Sequence, residues 1–226
     1  MKKILPDSPL FCGIREEEAA ALLDCLEAHE TAYRRGETVL GAGRETEWLG
    51  VVRSGMVLIE RCDVLGANSV LGAVRPGEVF AEAYACLAGE KMTAFVTAAE
   101  DTVVLWLRIR KLLSASGCAC AFHTRLLSNL LTVCAEKNLR LSRRIQHTTP
   151  KTIRARLISY FSEMAQNAGS RAFSLPLNRQ QLADYLGVDR SALCRELSRM
   201  QSDGLIRLSR SHVELSRMPD ALSDSL

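Results

Sequence analysis

The chain has 226 residues, 47% apolar and 24% charged, an ordinary globular composition with length for one large or two small domains. No run of 18 apolar residues occurs, which excludes a transmembrane helix, and Met1-Lys2-Lys3-Ile4-Leu5-Pro6-Asp7 leads into no apolar stretch, so a cytoplasmic chain without a membrane partner is expected. The net charge of +3 hides a division: residues 1–115 carry 13 Lys/Arg against 17 Asp/Glu, whereas residues 116–226 carry 16 against 9. That division either marks the second half as the one that meets a polyanion or is a chance imbalance of solvated surface.

The eight cysteines are Cys12, Cys25, Cys62, Cys86, Cys118, Cys120, Cys134 and Cys194. They are scattered, with no Cys-x-x-Cys pair. In a cytosolic chain they are expected as reduced thiols, mostly buried, rather than as a disulfide framework.

Arg15 to Leu26 predicts a helix, with acidic residues in its first turn and apolar positions at helical spacing. From Thr31 to about Leu107 the pattern changes to short β-rich runs. These are Val51-Val52, Met56 to Ile59, Val70 to Val74 and Thr102 to Leu107, with Gly36, Gly43, Gly55, Gly66, Gly77 and Gly89 between and around them. Many short strands with regular turn signals predict an antiparallel sandwich or barrel. No βαβ alternation is visible, which argues against a Rossmann domain.

About Ala119 to Ile145 reads as one long helix. Leu127, Leu131, Cys134, Asn138, Leu141 and Ile145 form a heptad seam. Phe122, Leu126, Leu130 and Val133 form a neighbouring stripe. Such a helix packs on the chain's own barrel, on a twin helix from a second subunit, or on both. Asn138 either sets the register of the seam or faces solvent. Thr149-Pro150 then predicts a helix start, with a capping hydroxyl before a proline at the first helical position. The amphipathic helix that follows runs from Lys151 to about Gln166 and stops at Ala168-Gly169-Ser170.

Leu177 to Leu197 carries the most specific signal. Asn178 caps a short helix whose apolar residues are Leu182, Tyr185 and Leu186. Ala183 is small where a second helix must cross closely, and Gly187 supplies the turn. Val188 plugs the corner, Asp189 caps the next helix, and Leu193 and Leu197 hold that helix to the core. This is a helix-turn-helix signature. Two short β runs, Asp203 to Leu208 and His212 to Leu215, extend it as a wing around Ser209-Arg210-Ser211. Arg190, Ser191 and Arg195 lie on the face of the second helix away from Leu193 and Leu197. An Arg there can donate two bonds to guanine in a major groove, and Ser can adapt to several bases. Arg179, Gln180, Arg199, Ser211 and His212 are the candidates for phosphate contacts, which position without reading sequence.

With these residues in view, the chain resembles the Crp/Fnr transcription factors from Phe11 to about Leu215. Tyr33-Arg34-Arg35-Gly36-Glu37-Thr38 and Gly55 look like that family's barrel glycines. Arg75-Pro76-Gly77-Glu78-Val79-Phe80-Ala81-Glu82 looks like its phosphate-binding cassette, and the helix-turn-helix completes the match. The resemblance implies an α+β chain in three parts: a jelly-roll effector-sensing domain over 1–116, a long dimerisation helix over 117–146 and a winged helix-turn-helix over 147–226. It also implies a homodimer on a palindromic duplex, a small-molecule effector, RNA polymerase as a partner, and no enzyme activity.

The departures from the family pattern bear on the effector. Cyclic-AMP-binding members carry Gly-Glu in the cassette and an Arg-Ser pair about ten residues on. Here those pairs read Ala81-Glu82 and Met92-Thr93. Met92 cannot neutralise a buried cyclic phosphate. Lys91, its neighbour in a β-rich segment, is expected on the opposite face of the strand. The hydroxyl pair that meets adenine falls at Leu141-Ser142. The expected effector site is therefore Glu82, Met92, Thr93, Leu141 and Ser142, with a ligand other than cyclic AMP.

The iron-sulfur branch needs clustered N-terminal cysteines, and only Cys12 and Cys25 are there. For a haem-sensing branch Cys86, Met92 and His123 are candidate axial ligands that no motif singles out. Ser191 stands where many members carry Glu, so a different half-site sequence is expected. A cupin-type metalloenzyme would need clustered histidines, and His29, His123, His147 and His212 are far apart. A thiol-based sensor using Cys118, Cys120 and Cys134 is the remaining alternative.

Overall fold

A 3₁₀ turn, Pro9–Phe11, buries Leu10 and Phe11 and leads into α1 (Glu16–Cys25). Glu18 accepts the Arg15 backbone N–H at 3.1 Å, which satisfies one of the orphan donors of the first turn. The chain is described here by a computed structural model over residues 7–62, 68–113 and 121–216. Gly66, Cys118 and Cys120 lie outside those residues.

Eight strands follow: β1 (His29–Tyr33), β2 (Thr38–Leu40), β3 (Trp48–Ser54), β4 (Val57–Cys62), β5 (Asn68–Val74), β6 (Val79–Phe80), β7 (Phe95–Ala98) and β8 (Thr102–Arg108). They form two four-stranded sheets, β1-β8-β3-β6 and β2-β7-β4-β5, with antiparallel pairing throughout. This is the jelly roll. Val52, Val57, Phe80, Met92, Val96, Val104 and Trp106 fill the space between the sheets, and the rings of Phe80 and Trp106 meet edge to face at 5.4 Å. The other face of the first sheet presents Leu49, Val51, Leu105 and Leu107, which pack in a second cluster with Leu22, Leu23 and Leu26. With both faces covered, β3 and β8 read as continuous apolar runs rather than alternating ones.

Gly55, in the turn between β3 and β4, has φ +79°. A Cβ there would lie 2.5 Å from the Asp101 carbonyl oxygen and from Thr102 Oγ1. Gly55→Ala should therefore destabilise the first unit by about 1–3 kcal/mol, combining backbone strain with a clash against main chain. Denaturant unfolding followed by tryptophan fluorescence checks this, because Trp48 and Trp106 both belong to that unit; an unchanged midpoint would contradict it.

Two short helices, α2 (Glu82–Cys86) and α3 (Arg110–Leu113), precede α4 (Ala121–Thr148). The chain divides into two compact units, one ending at Glu136 and the other beginning at Lys137, so the division falls inside α4. Leu126, Leu130 and Val133 belong to the core of the first unit. Of the heptad seam, Leu127, Leu131, Asn138, Leu141 and Ile145 are exposed, and Cys134 is half-buried.

In the second unit α5 (Ile153–Ala168) starts later than the Thr149-Pro150 signal predicts. Thr152 is the cap: its hydroxyl accepts the Ala155 N–H at 3.2 Å. Thr149 instead turns its hydroxyl back to the Ile145 carbonyl at 2.7 Å and closes α4. The unit continues with β9 (Ala172–Ser174), α6 (Arg179–Leu186), α7 (Arg190–Ser202), β10 (Ile206–Ser209) and β11 (His212–Leu215), its strands ordered β10-β11-β9. Leu182, Ala183, Leu186, Leu193, Leu197 and Met200 pack with Leu157 and Phe161 of α5 and Phe173 and Val213 of the sheet. The wing is thus a three-stranded sheet, and β9 is the strand that sequence patterning had not revealed.

Candidate nucleic-acid interface and effector site

The pair α6–α7 is built from its caps inward. Asn178 Oδ1 accepts the Gln181 N–H and Gln181 Oε1 accepts the Asn178 N–H, both at 2.9 Å, a reciprocal cap on α6. Gly187 closes α6 in the left-handed region at φ 64°. Asp189 opens α7, accepting from the Ser191 hydroxyl at 2.5 Å and from the Ala192 N–H at 2.9 Å, and these bonds hold its carboxyl below the usual aspartate range.

Leu193, Leu197 and Met200 are buried, so Arg190, Ser191, Arg195 and Arg199 face outward and are exposed. Glu196 offsets part of that charge, but its shorter ion pair is with α5. Arg154 of α5 pairs with Glu196 at 2.5 Å and with Asp203 at 2.7 Å, while Arg199 stays 3.7 Å from Glu196. The outer face of the first turns of α7 is left cationic. Of the candidate phosphate ligands, Arg199, Ser211 and His212 are exposed. Arg179 is half-buried and donates from Nη2 to the Arg210 carbonyl at 3.1 Å, and Gln180 donates to Asp184 at 2.8 Å.

Three residues that secure this surface escaped sequence reasoning. Arg156 donates to the carbonyls of Leu186 at 2.9 Å and Pro150 at 2.8 Å. Arg144 donates to those of Tyr185 and Asp184, both at 3.2 Å. Both guanidinium groups therefore sit at the C-terminal, negative end of α6. The third is His147, 3% exposed, with Nε2 2.8 Å from Glu163 and Nδ1 2.9 Å from the Tyr185 hydroxyl. A neutral ring with its proton on Nε2 satisfies both bonds, donating to Glu163 and accepting from Tyr185.

Burial lowers the His147 pKa below the ordinary 6.5; Glu163 opposes that shift and Arg143 reinforces it. The unfolded chain takes up a proton that the folded unit resists. The His147 contribution to stability is therefore complete above about pH 6.5 and is lost as pH drops from there to the lowered folded value. Denaturant titrations between about pH 8 and pH 5 should show that slope in the wild type and lose part of it in His147→Gln; equal slopes would contradict the assignment.

In the first unit the Arg75–Glu82 segment turns at Gly77, φ +86°, and Arg75 N–H donates to Glu78 at 2.8 Å. Ala81 adopts φ 60° immediately before α2, and Glu82 opens that helix. Met92 is 4% exposed among the side chains between the sheets, whereas Lys91 and Thr93 on either side are exposed, as the alternation of an extended segment predicts. Thr93 Oγ1 lies 2.8 Å from the Tyr84 hydroxyl of α2. Leu141 and Ser142, exposed on α4, belong to the other unit. Cys86 packs against the core that contains Leu126 and Leu130, not with Met92. Burial, with Cys134 close by, pushes the Cys86 thiol up. Cys12, Cys86 and Cys194 are free thiols.

Two family models tile this chain. Residues 30–115 match the cyclic nucleotide-binding domain and residues 155–222 match the Crp-like helix-turn-helix domain. The cyclic AMP receptor protein of Thermus thermophilus is 27% identical over 92% of both chains, and the transcriptional activator protein FnrL of Cereibacter sphaeroides is 24% identical over 87% of this chain and 79% of its own. The chain belongs to the Crp/Fnr family. The c-di-GMP-responsive global regulator CLP of Xanthomonas campestris shares the fold at 20% identity, with a TM-score of 0.53 over 88% of this chain and all of that one. This Crp/Fnr protein is accordingly a DNA-binding transcription regulator with an effector-binding domain, not an enzyme. Among the described residues, no helix is long and apolar enough to cross a membrane.

Proposed function

We propose that this Crp/Fnr regulator binds a palindromic duplex as a homodimer, with α7 in the major groove. Arg190, Ser191 and Arg195 read bases, while Arg179, Gln180, Arg199, Ser211 and His212 contact phosphates. The observation that carries this reading is the outward face of α7, where Arg190, Arg195 and Arg199 are exposed while Glu196 pairs most closely with Arg154 of α5. Division by role follows the three segments 1–116, 117–146 and 147–226: sensing, dimerising and DNA-binding. The exposed seam of Leu127, Leu131, Leu141 and Ile145, with Cys134 and Asn138, supports a twin helix from a second subunit. A regulator of this kind works in the cytoplasm beside RNA polymerase. Selection from a pool of random duplexes, followed by footprinting, tests the reading. Two half-sites with centres roughly 34 Å apart are expected, and recovery of only asymmetric single sites would overturn the symmetric dimer.

For the effector, the site that includes Glu82, Met92 and Thr93 favours an apolar or mixed ligand over cyclic AMP. A cyclic phosphate brought against the buried Met92 thioether loses a charge-assisted bond of about 1.5–3 kcal/mol and leaves a charge unpaired. Binding should weaken by about two orders of magnitude or more, since each 1.4 kcal/mol is tenfold. Calorimetry with millimolar cyclic AMP and cyclic GMP should show no micromolar site. Micromolar binding of either nucleotide, abolished in Glu82→Ala, would contradict this. The Tyr84–Thr93 hydrogen bond supports the same reading, because it gives the Thr93 hydroxyl a partner within the protein.

A further inference from the structure

The wing tip holds an unusual residue. Between β10 and β11 the chain reverses over Arg210 and Ser211, with Ser209 opposite His212. Arg210 has φ 52°, and it is the one non-glycine residue of the second unit with a positive φ among the described residues. Glycine takes that conformation freely, whereas a side chain is strained there. The turn is also fixed from two sides. Arg179, the first residue of α6, donates to the Arg210 carbonyl at 3.1 Å, and the Leu175 N–H donates to the Ser211 carbonyl at 2.7 Å. The Arg210 side chain is exposed, and among the described residues no carboxylate forms a salt bridge with it, whereas Arg207 meets Glu214 at 3.7 Å.

A cation that only touched phosphate would need none of this, because any long basic side chain on a mobile tip can reach a backbone oxygen. A strained, pinned tip instead sets where one guanidinium stands relative to α6 and its partner α7. We propose that Arg210 enters the minor groove beside each half-site and prefers the narrow groove of an A·T tract. Narrowing concentrates the negative potential of the two backbones, and the planar, weakly hydrated guanidinium gives up its water at lower cost than an ammonium. The proposal rests on α7 being the recognition helix, and it adds a second determinant outside the bases that α7 contacts.

The test starts from a duplex that the wild-type protein selects from a random pool. Only the base pairs flanking each half-site are then changed, from an A·T tract to G·C pairs. The wild type should bind the A·T-flanked duplex about tenfold tighter. Arg210→Ala and Arg210→Gly should bind both duplexes equally while still discriminating among half-site cores. Arg210→Gly should melt at a higher temperature than the wild type, because glycine relieves the positive φ. Arg195→Ala should do the reverse, losing core discrimination and keeping the flank preference. A wild type indifferent to the flanks would overturn the proposal. So would an Arg210→Ala protein that keeps the preference, or one that weakens equally on both duplexes, which is the behaviour of a phosphate contact. If no duplex is selected, the assignment of α7 fails and this proposal fails with it.

Discussion

Replacing Leu131 by Asp should convert a dimeric protein into a monomer at micromolar concentration. Leu131 is 70% exposed on α4, so the change leaves the core of its own unit intact. In a symmetric pair of helices, however, two carboxylates would meet in an apolar seam flanked by Leu127 and Cys134. An unpaired charge buried at such an interface costs several kcal/mol, and about 3 kcal/mol weakens association by roughly two orders of magnitude. Leu131→Asn, uncharged and of similar size, should fall between Asp and wild type. Sedimentation velocity with circular dichroism on the same samples checks both points. A monomeric wild type, or an Asp variant that sediments as a dimer, would remove the seam as the interface. The monomeric variant should also bind a palindromic duplex far more weakly, because half of the paired contacts are lost.

Arg195→Ala should cost about 1–3 kcal/mol on the preferred duplex and relax selectivity at one base position in each half-site. The effect should be confined to function. Arg195 is exposed and Leu193 and Leu197 carry the packing, so the melting temperature should stay close to that of the wild type. Arg199→Ala makes the useful comparison, since a phosphate ligand weakens all sequences alike and lowers the salt dependence. If Arg195→Ala kept wild-type affinity and selectivity, α7 would not be the reading helix.

What could be read from the amino-acid order follows from where the determining interactions lie. The α6–α7 pair was legible because its signals are local: caps at Asn178 and Asp189, a left-handed glycine at Gly187 and small Ala183 at the crossing. Strands β3 and β8 were legible because cover on both faces makes them continuously apolar. Strands β1 and β9 were not. His29-Glu30-Thr31-Ala32-Tyr33 carries almost no apolar signal and exists through its pairing with β8, and Ala172-Phe173-Ser174 is three residues held by β11. The helix start shifted to Thr152 because a nearby hydroxyl-bearing residue offered an equally good local pattern. Arg144, His147 and Arg156 were invisible for a different reason. Apart from Pro150, six residues before Arg156, their partners lie 16 to 41 residues away, so no local pattern marks them.

The eight-residue length of α6 has a further meaning. A helix that short cannot persist in water, because the nucleation penalty is spread over too few hydrogen bonds. Here the reciprocal cap of Asn178 and Gln181 closes one end, and the guanidinium groups of Arg144 and Arg156 hold the other, so neither end is free to fray. Its opening is tied to that of α4 and α5, which supply the two arginines. The first helix of the helix-turn-helix should therefore open only together with its unit, and its backbone amides should exchange with solvent only when the unit unfolds as a whole.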